Sequence, residues 1–155
     1  MTEKDHFINT HNRECGTLLN LLKAFPADQL DLKPAPKSRT ARELAFVLAN
    51  QELFFKQAAE GAIDFSLFAN QPPATMDEII ATLGANHKAV EAAIAAASME
   101  DLNKIVNFGG HDMRRLDAMW ANQFDLVHHR GQFSVYLRLA GAKVPSIYGP
   151  TADTV

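Results

Sequence analysis

The sequence predicts an all-α protein, a bundle of four antiparallel helices. Apolar residues recur at steps of three and four through four long segments, which is the spacing of one helix face. Prolines and glycines fall between these segments, and no segment carries a strand signal. Because 155 residues is an ordinary size for one domain, we predict that residues 1–155 form a single domain.

Start and stop signals set the bounds of the four predicted helices. Pro26 ends the first helix, whose apolar stripe includes His11 and Cys15. Thr40 with Glu43, and later Thr75 with Glu78, have the spacing of a capping box, so they begin the second and third helices. The predicted bounds are Lys4 to Phe25, Thr40 to Gly61, Thr75 to Ala97, and Asp112 to Ala140.

The connections between the helices leave the topology open. Residues 103–110, which end in two glycines, are predicted to be a short extended connection before the fourth helix. The connections before the second and third helices each exceed ten residues. One of them can therefore cross over the bundle, and an up-down-down-up order is as admissible as a simple up-down order.

Composition excludes several classes of function. The formal net charge of −3 and a pI of 6.0 argue against nucleic-acid binding and against capture by an anionic membrane. Cys15 is the only cysteine, so no internal disulfide forms, and no apolar segment is long enough to cross a membrane. The polar N-terminus lacks the apolar core of a signal peptide, so we expect a cytoplasmic protein.

The densest functional pattern lies on the fourth predicted helix. Asp125 and His129 are four residues apart, which places both side chains on one face, and together they could bind a divalent metal. Gln132 and Tyr136 continue this polar stripe. The alternative is a structural stripe in which the Asp125 carboxylate only orients the imidazole of His129.

Other polar residues have simpler interpretations. Arg130 is predicted to pair with a carboxylate of a neighbouring helix, or else to meet an anionic ligand. Gly131 would permit close approach of another backbone. Cys15 is predicted to be a buried core residue, and His11 a hydrogen-bonded core histidine that could come near Asp125 and His129. The remaining histidines are predicted to be solvated or at helix ends: His6, His87 and His111.

Several segments together resemble a known family. The run His128–Gln132, followed by Tyr136–Arg138, Gly141 and residues 144–150, is similar to the C-terminal signature of the DinB-like (DinB/YfiT) proteins. Residues 36–45 resemble the start of that family's second helix. The resemblance implies a four-helix bundle with a crossover connection, usually a homodimer. Characterised members of this family include thiol-dependent transferases and isomerases.

The resemblance also implies a metal site of three side chains, which this sequence only partly retains. His129 matches one ligand, Asp125 stands where most members have histidine, and Val47 stands at the position of the second-helix histidine. Valine cannot bind a metal, so we predict a degenerate site in which zinc or nickel binds weakly or not at all. Glu43, Gln51 or His11 could replace the missing ligand.

Two functions follow as hypotheses. In the first, the protein is a thiol-dependent transferase or metal-dependent hydrolase, with His129 as ligand or general base and Asp125 as its partner. In the second, it is a non-catalytic bundle that binds a small molecule or serves as a dimeric scaffold without metal. The expected partners are a second copy of the chain and a small-molecule or thiol ligand, with no nucleic acid and no membrane.

Overall fold

Four long helices and a β-hairpin make up the fold. The computed structural model describes residues 1–155. In chain order the elements are α1 (Glu3–Lys23), α2 (Ala41–Glu60), α3 (Met76–Ala96), α4 (Met99–Leu102), β1 (Ile105–Phe108), β2 (His111–Arg114) and α5 (Arg115–Leu139). The predicted all-α bundle is confirmed, with α1, α2, α3 and α5 as its four helices. None of these helices combines the length and the apolar character that a membrane crossing requires.

The helices pack as a square in which α1 and α2 stand at opposite corners. Both α1 and α2 make their main contacts with α3 and α5. The connection from α1 to α2, residues 24–40, therefore crosses one end of the bundle, while α2 and α3 are direct neighbours. A single cluster of 30 buried apolar side chains fills the space between the helices.

Both predicted capping boxes are present. The Thr40 hydroxyl accepts a hydrogen bond from the Glu43 amide at 3.2 Å, and the Glu43 carboxylate accepts one from the Thr40 amide at 2.7 Å. Thr75 and Glu78 repeat this arrangement at the start of α3. Such a cap contributes about 1 kcal/mol, which explains why these helix starts were readable from the sequence.

The hairpin corrects the predicted start of the fourth helix. The fourth helix was expected to begin at Asp112, but residues 111–114 form β2, which pairs antiparallel with β1, and the helix begins at Arg115. Gly109 and Gly110 have φ of +59° and +91°, as a tight two-residue hairpin turn requires. Two glycines between short runs are a hairpin signal, but the sequence was interpreted as an extended connection over residues 103–110 with no strand.

Two predictions about the middle of α5 have different outcomes. Arg130 forms the expected structural ion pair, because its guanidinium bonds the buried Glu14 carboxylate of α1 and also the Tyr148 hydroxyl at 2.5 Å. Gly131 was expected to allow close approach of another backbone, but a methyl group there would meet no atom within 4 Å. Gly131 instead lies on the exposed surface of the chain.

Candidate metal centre

Three polar side chains occupy core positions on three different helices. His11 of α1 is 2% exposed and Glu52 of α2 is fully buried. The His87 side chain of α3 is 18% exposed. Burying a carboxylate and two imidazoles is costly unless each finds a partner, so their arrangement needs a physical reason.

The helical spacing of each residue explains why it points inward. Glu52 follows Leu48 by four residues and precedes Phe55 by three, so it lies on the core-facing stripe of α2. His87 stands in the same way between Leu83 and Val90 on α3. The bundle therefore directs these side chains toward the imidazole of His11 on α1.

The three side chains meet at one point. The Glu52 Oε2 atom lies 3.1 Å from His11 Nε2 and 3.0 Å from His87 Nδ1. One donor atom from each residue lies within 4.8 Å of the other two. Two imidazole nitrogens and one carboxylate form a ligand set that proteins use for catalytic zinc, with a further position open for water.

Each histidine also has a partner for its other ring nitrogen. His11 Nδ1 lies 3.0 Å from the Oε1 atom of Gln123 on α5. His87 Nε2 lies 3.9 Å from the Oε1 atom of Glu91, one turn further along α3. Outer partners of this kind fix the orientation of metal-binding histidines.

The hydrogen-bond inventory leaves this cluster short of one cation. In the neutral form of His11 whose Nδ1–H donates to Gln123, the Nε2 atom presents only a lone pair toward the Glu52 carboxylate, whereas the protonated ring donates to both. Glu52 Oε1 is buried and has no hydrogen-bond partner. A positive charge placed among the three side chains would satisfy both atoms.

The electrostatics keep the carboxylate ionised. Burial raises the pKa of Glu52, but hydrogen bonds from His11 and His87 and their charge outweigh it, so the pKa lies below its usual value. The hydrogen bond to Glu52 raises the pKa of His87 despite partial burial. The same nitrogen can hold a proton or a metal, so the two compete for this cluster.

A small cavity reaches the cluster from the outside. It has a volume of about 220 Å³ and lies between α1 and α3, with His11 and Glu91 in its wall. Its other lining residues are mainly apolar: Ile8, Asn12, Ile94 and Ala95. A small molecule or a water in this cavity would stand beside the His11 imidazole.

The predicted site residues Asp125 and His129 lie together on α5. His129 Nε2 is 3.5 Å from Asp125 Oδ2, and the Gln51 amide also donates to that oxygen. Asp125 is 54% exposed, whereas the side chain of His129 is 19% exposed. The catalytic and metal-binding roles of these two residues stay a prediction.

The metal position that the resemblance implies lies at Val47, Asp125 and His129. Val47 offers no donor atom, and the nitrogen of the Gln51 amide faces Asp125 where a metal would stand. Two donors from one helix remain, which does not fit a centre with three protein ligands. The residues present there therefore do not fit such a group.

His11 and His87, the two histidines of the cluster, differ in how well the sequence predicted them. His11 is the hydrogen-bonded core histidine that was predicted, although its neighbours are Glu52 and His87 and not the α5 pair. His87 was expected to be solvated or at a helix end, which is wrong, because it lies in the middle of α3 and bonds a buried carboxylate. A polar residue on each of three apolar stripes was the sequence signal that could have found the cluster.

The sequence matches a protein-family model and a protein from Bacillus subtilis over most of its length. A family model described as the DinB superfamily matches residues 12–133. The Bacillus subtilis protein named Uncharacterized protein YrdA is 26% identical in an alignment of 161 positions, which covers 96% of this chain and 90% of YrdA. The match of the family model begins one residue after His11.

Two crystal structures resemble the fold. A DinB-like protein from Bacillus cereus superposes with a TM-score of 0.82 at 22% identity, covering 93% of this chain and 97% of that chain. The DinB-like protein YjoA from Bacillus subtilis gives a TM-score of 0.69 at 20% identity and covers 99% of both chains. At these identities the likeness concerns the fold.

Proposed function

The chain belongs to the DinB superfamily, and we propose that it is a metalloprotein. Its metal centre lies among α1, α2 and α3, and not between α2 and α5 where the resemblance implies one. His11, Glu52 and His87 hold a divalent cation, with zinc as the first candidate. The cation serves hydrolysis of a small molecule that enters between α1 and α3. The convergence of three donor atoms within 4.8 Å in the core carries this proposal.

A metal explains the cluster better than a proton does. A proton on His11 would join only His11 and Glu52, and it would leave Glu52 Oε1 without a partner. A metal ion accepts lone pairs from all three side chains at once. Gln123, at hydrogen-bond distance from the outer nitrogen of His11, then keeps that imidazole in the orientation that metal binding needs, and Glu91 adds a charge contact to His87.

The chain's own residues divide the remaining work. A zinc ion bound there would supply Lewis acidity and lower the pKa of a bound water. Glu91 lies at the cavity wall, 3.9 Å from the outer ring nitrogen of His87, so its charge supports that ring as a ligand. Ile8 and Ile94 make the cavity partly apolar, which favours a small substrate with an apolar part.

In this proposal the family's own metal position is degenerate. Val47 removes one ligand, and Gln51 ties Asp125 into a hydrogen bond. The chain keeps the fold of the family, and the proposed metal ligands lie on α1, α2 and α3. A thiol-dependent transfer at Asp125 and His129 remains the alternative, for which the pairing of these two side chains is the support.

Metal binding can be measured by thermal unfolding of the untagged protein with and without zinc. Zinc at about a hundredfold excess over its Kd stabilises the protein by about 2.7 kcal/mol. For a domain of this size, that raises the Tm by roughly 5–11 °C. Glu52→Gln, which keeps the shape of the side chain, should abolish the rise, and His87→Gln should reduce it strongly.

Asp125→Asn is the matched control, because it removes a carboxylate from the other position while leaving the core intact. We expect it to keep the full rise in Tm. A rise that survives Glu52→Gln but is lost in Asp125→Asn would place the metal at the family position and overturn the proposal. No rise in the wild-type chain would mean that the cluster is a structural hydrogen-bond network.

A further inference from the structure

The largest cavity lies away from the metal cluster, between the connection that precedes α2 and the outer part of α5. Its volume is about 670 Å³. Its polar lining comes from Lys37, Ser38 and Arg39 of the connection and from Gln132 and Tyr136 of α5. This volume lies within the range of about 300–1,000 Å³ that small-molecule sites occupy.

The charge in this cavity has one sign. Lys37 and Arg39 form no ion pair within the chain, and no carboxylate lines the cavity. The acidic groups nearby are engaged elsewhere, because Asp31 pairs with Arg42 at 2.5 Å and Glu43 caps Thr40 at 2.7 Å. Neither cation is paired with a carboxylate within the chain, although the capped Glu43 carboxylate lies near enough to Arg39 to interact with its charge.

The wall that carries these cations is held in place. The hydroxyl of Tyr136, a buried residue, donates to the Arg39 carbonyl at 2.8 Å and fastens the connection to α5. The amides of Ala41 and Arg42 donate to Leu32 and Leu30 carbonyls, both at 2.9 Å. The backbone that carries the two cations is thus fixed before any ligand binds, which lowers the entropic cost of binding.

One residue of the cavity wall, Gln132, contacts the histidine run of α5. Gln132 Oε1 lies 3.3 Å from His129 Nδ1, and Gln132 Nε2 lies 2.8 Å from His128 Nε2. A molecule that contacts the Gln132 amide would therefore change the surroundings of His129. A ligand bound in this cavity would thus interact with the histidine run of α5 through Gln132, with no metal needed.

We propose that this cavity binds a small organic anion. A carboxylate or phosphate group pairs with Lys37 and Arg39, and Ser38 and Gln132 supply hydrogen bonds. The apolar part of the molecule packs against Leu44 and Val135, which line the same cavity. Binding requires no metal, so this inference stands apart from the proposed metal centre.

Titration of the nitrogen-15-labelled protein, followed by NMR in the presence of a chelator, tests this site. The probes are phenyl phosphate and phenylacetate, with phenylacetamide as their uncharged counterpart. We expect saturable shifts for amides of residues 37–39 and 132–136 with both anions. Phenylacetamide should bind about tenfold or more weakly, because it lacks the charge that the two cations meet.

Variants locate the binding energy. The double variant Lys37→Gln with Arg39→Gln should lose about tenfold or more in affinity for phenyl phosphate. Lys33→Gln is the matched control, since Lys33 is exposed on the same connection but does not line the cavity. Equal affinity for phenylacetamide, unchanged affinity in the double variant, or no saturable shift with either anion would each overturn the proposal.

Discussion

Glu14 and Glu52 are both buried carboxylates, but the residues that pair with them differ in whether they can lose a proton. Glu14 is bound by the Arg130 guanidinium and by the Tyr148 hydroxyl at 2.9 Å. Because arginine keeps its proton at any ordinary pH, this pair is structural, and it fastens the C-terminal tail to α1. Glu52 faces His11 and His87, which can release a proton and take up a metal. The structure therefore separates a permanent ion pair from an exchangeable one.

Cys15 lies one turn after His11 but is not poised to react. Its side chain is buried, and burial, followed by the charge of Glu52 and Glu91, raises the pKa of the thiol. We expect no reaction with Ellman's reagent in the native protein at mildly alkaline pH, and complete reaction in guanidinium chloride. Glutathione serves as the rate reference, and a native Cys15 that reacts as fast as glutathione would contradict this account.

At the scale of the elements, the end of α2 depends on one glycine. Gly61 has a φ of +82°, which L side chains rarely adopt, and a methyl group there would lie 2.2 Å from the Arg115 guanidinium. That guanidinium donates to the Ala59 carbonyl at 3.0 Å, so it cannot move freely. The start of α5 is therefore packed directly against the end of α2.

Replacing Gly61 tests this junction. Gly61→Ala should lower the free energy of unfolding by about 1–2 kcal/mol, because it forces a left-handed conformation on an alanine. Urea denaturation measures the change. Gly84→Ala is the control: Gly84 lies inside α3 with open space around it, so the same substitution should stabilise by about 0.5–1 kcal/mol. Equal effects of the two variants would contradict the assigned role of Gly61.

Local signals explain which elements were predictable. The capping boxes at Thr40 and Thr75 act within four residues, so the sequence identified them. The pairing of His111–Arg114 with Ile105–Phe108 depends on a turn whose glycines also fit a plain connection. The cluster of His11, Glu52 and His87 depends on how α1, α2 and α3 pack, because His11 and Glu52 are separated by 41 residues and share no local motif. Tertiary packing therefore decided what spacing alone left open.

At the scale of the whole molecule, α5 presents an uncovered apolar stripe. Phe124, Val135 and Leu139 are 69%, 55% and 55% exposed, and Gly131 lies on the same face between them. These residues recur at helical steps and have no covering element in the chain. We expect this stripe to join two copies of the chain, with Gly131 allowing the two α5 helices to approach closely.

Light scattering during size-exclusion chromatography measures this association. The wild-type chain should elute as a homodimer, and Val135→Glu should shift it to a monomer, because the substitution places a charge inside the interface. Lys88→Glu, on the exposed face of α3, is the control and should leave the dimer intact. A monomeric wild-type chain, or a Val135→Glu variant that remains dimeric, would contradict the assignment of this surface.

Anomalous diffraction from a crystal grown with zinc would locate the proposed metal. We predict one strong peak among His11 Nε2, the Glu52 carboxylate and His87 Nδ1, about 2.0–2.2 Å from each ligand atom. This peak should be absent from crystals of the Glu52→Gln variant. A peak between Asp125 and His129, with none in the core, would contradict the account.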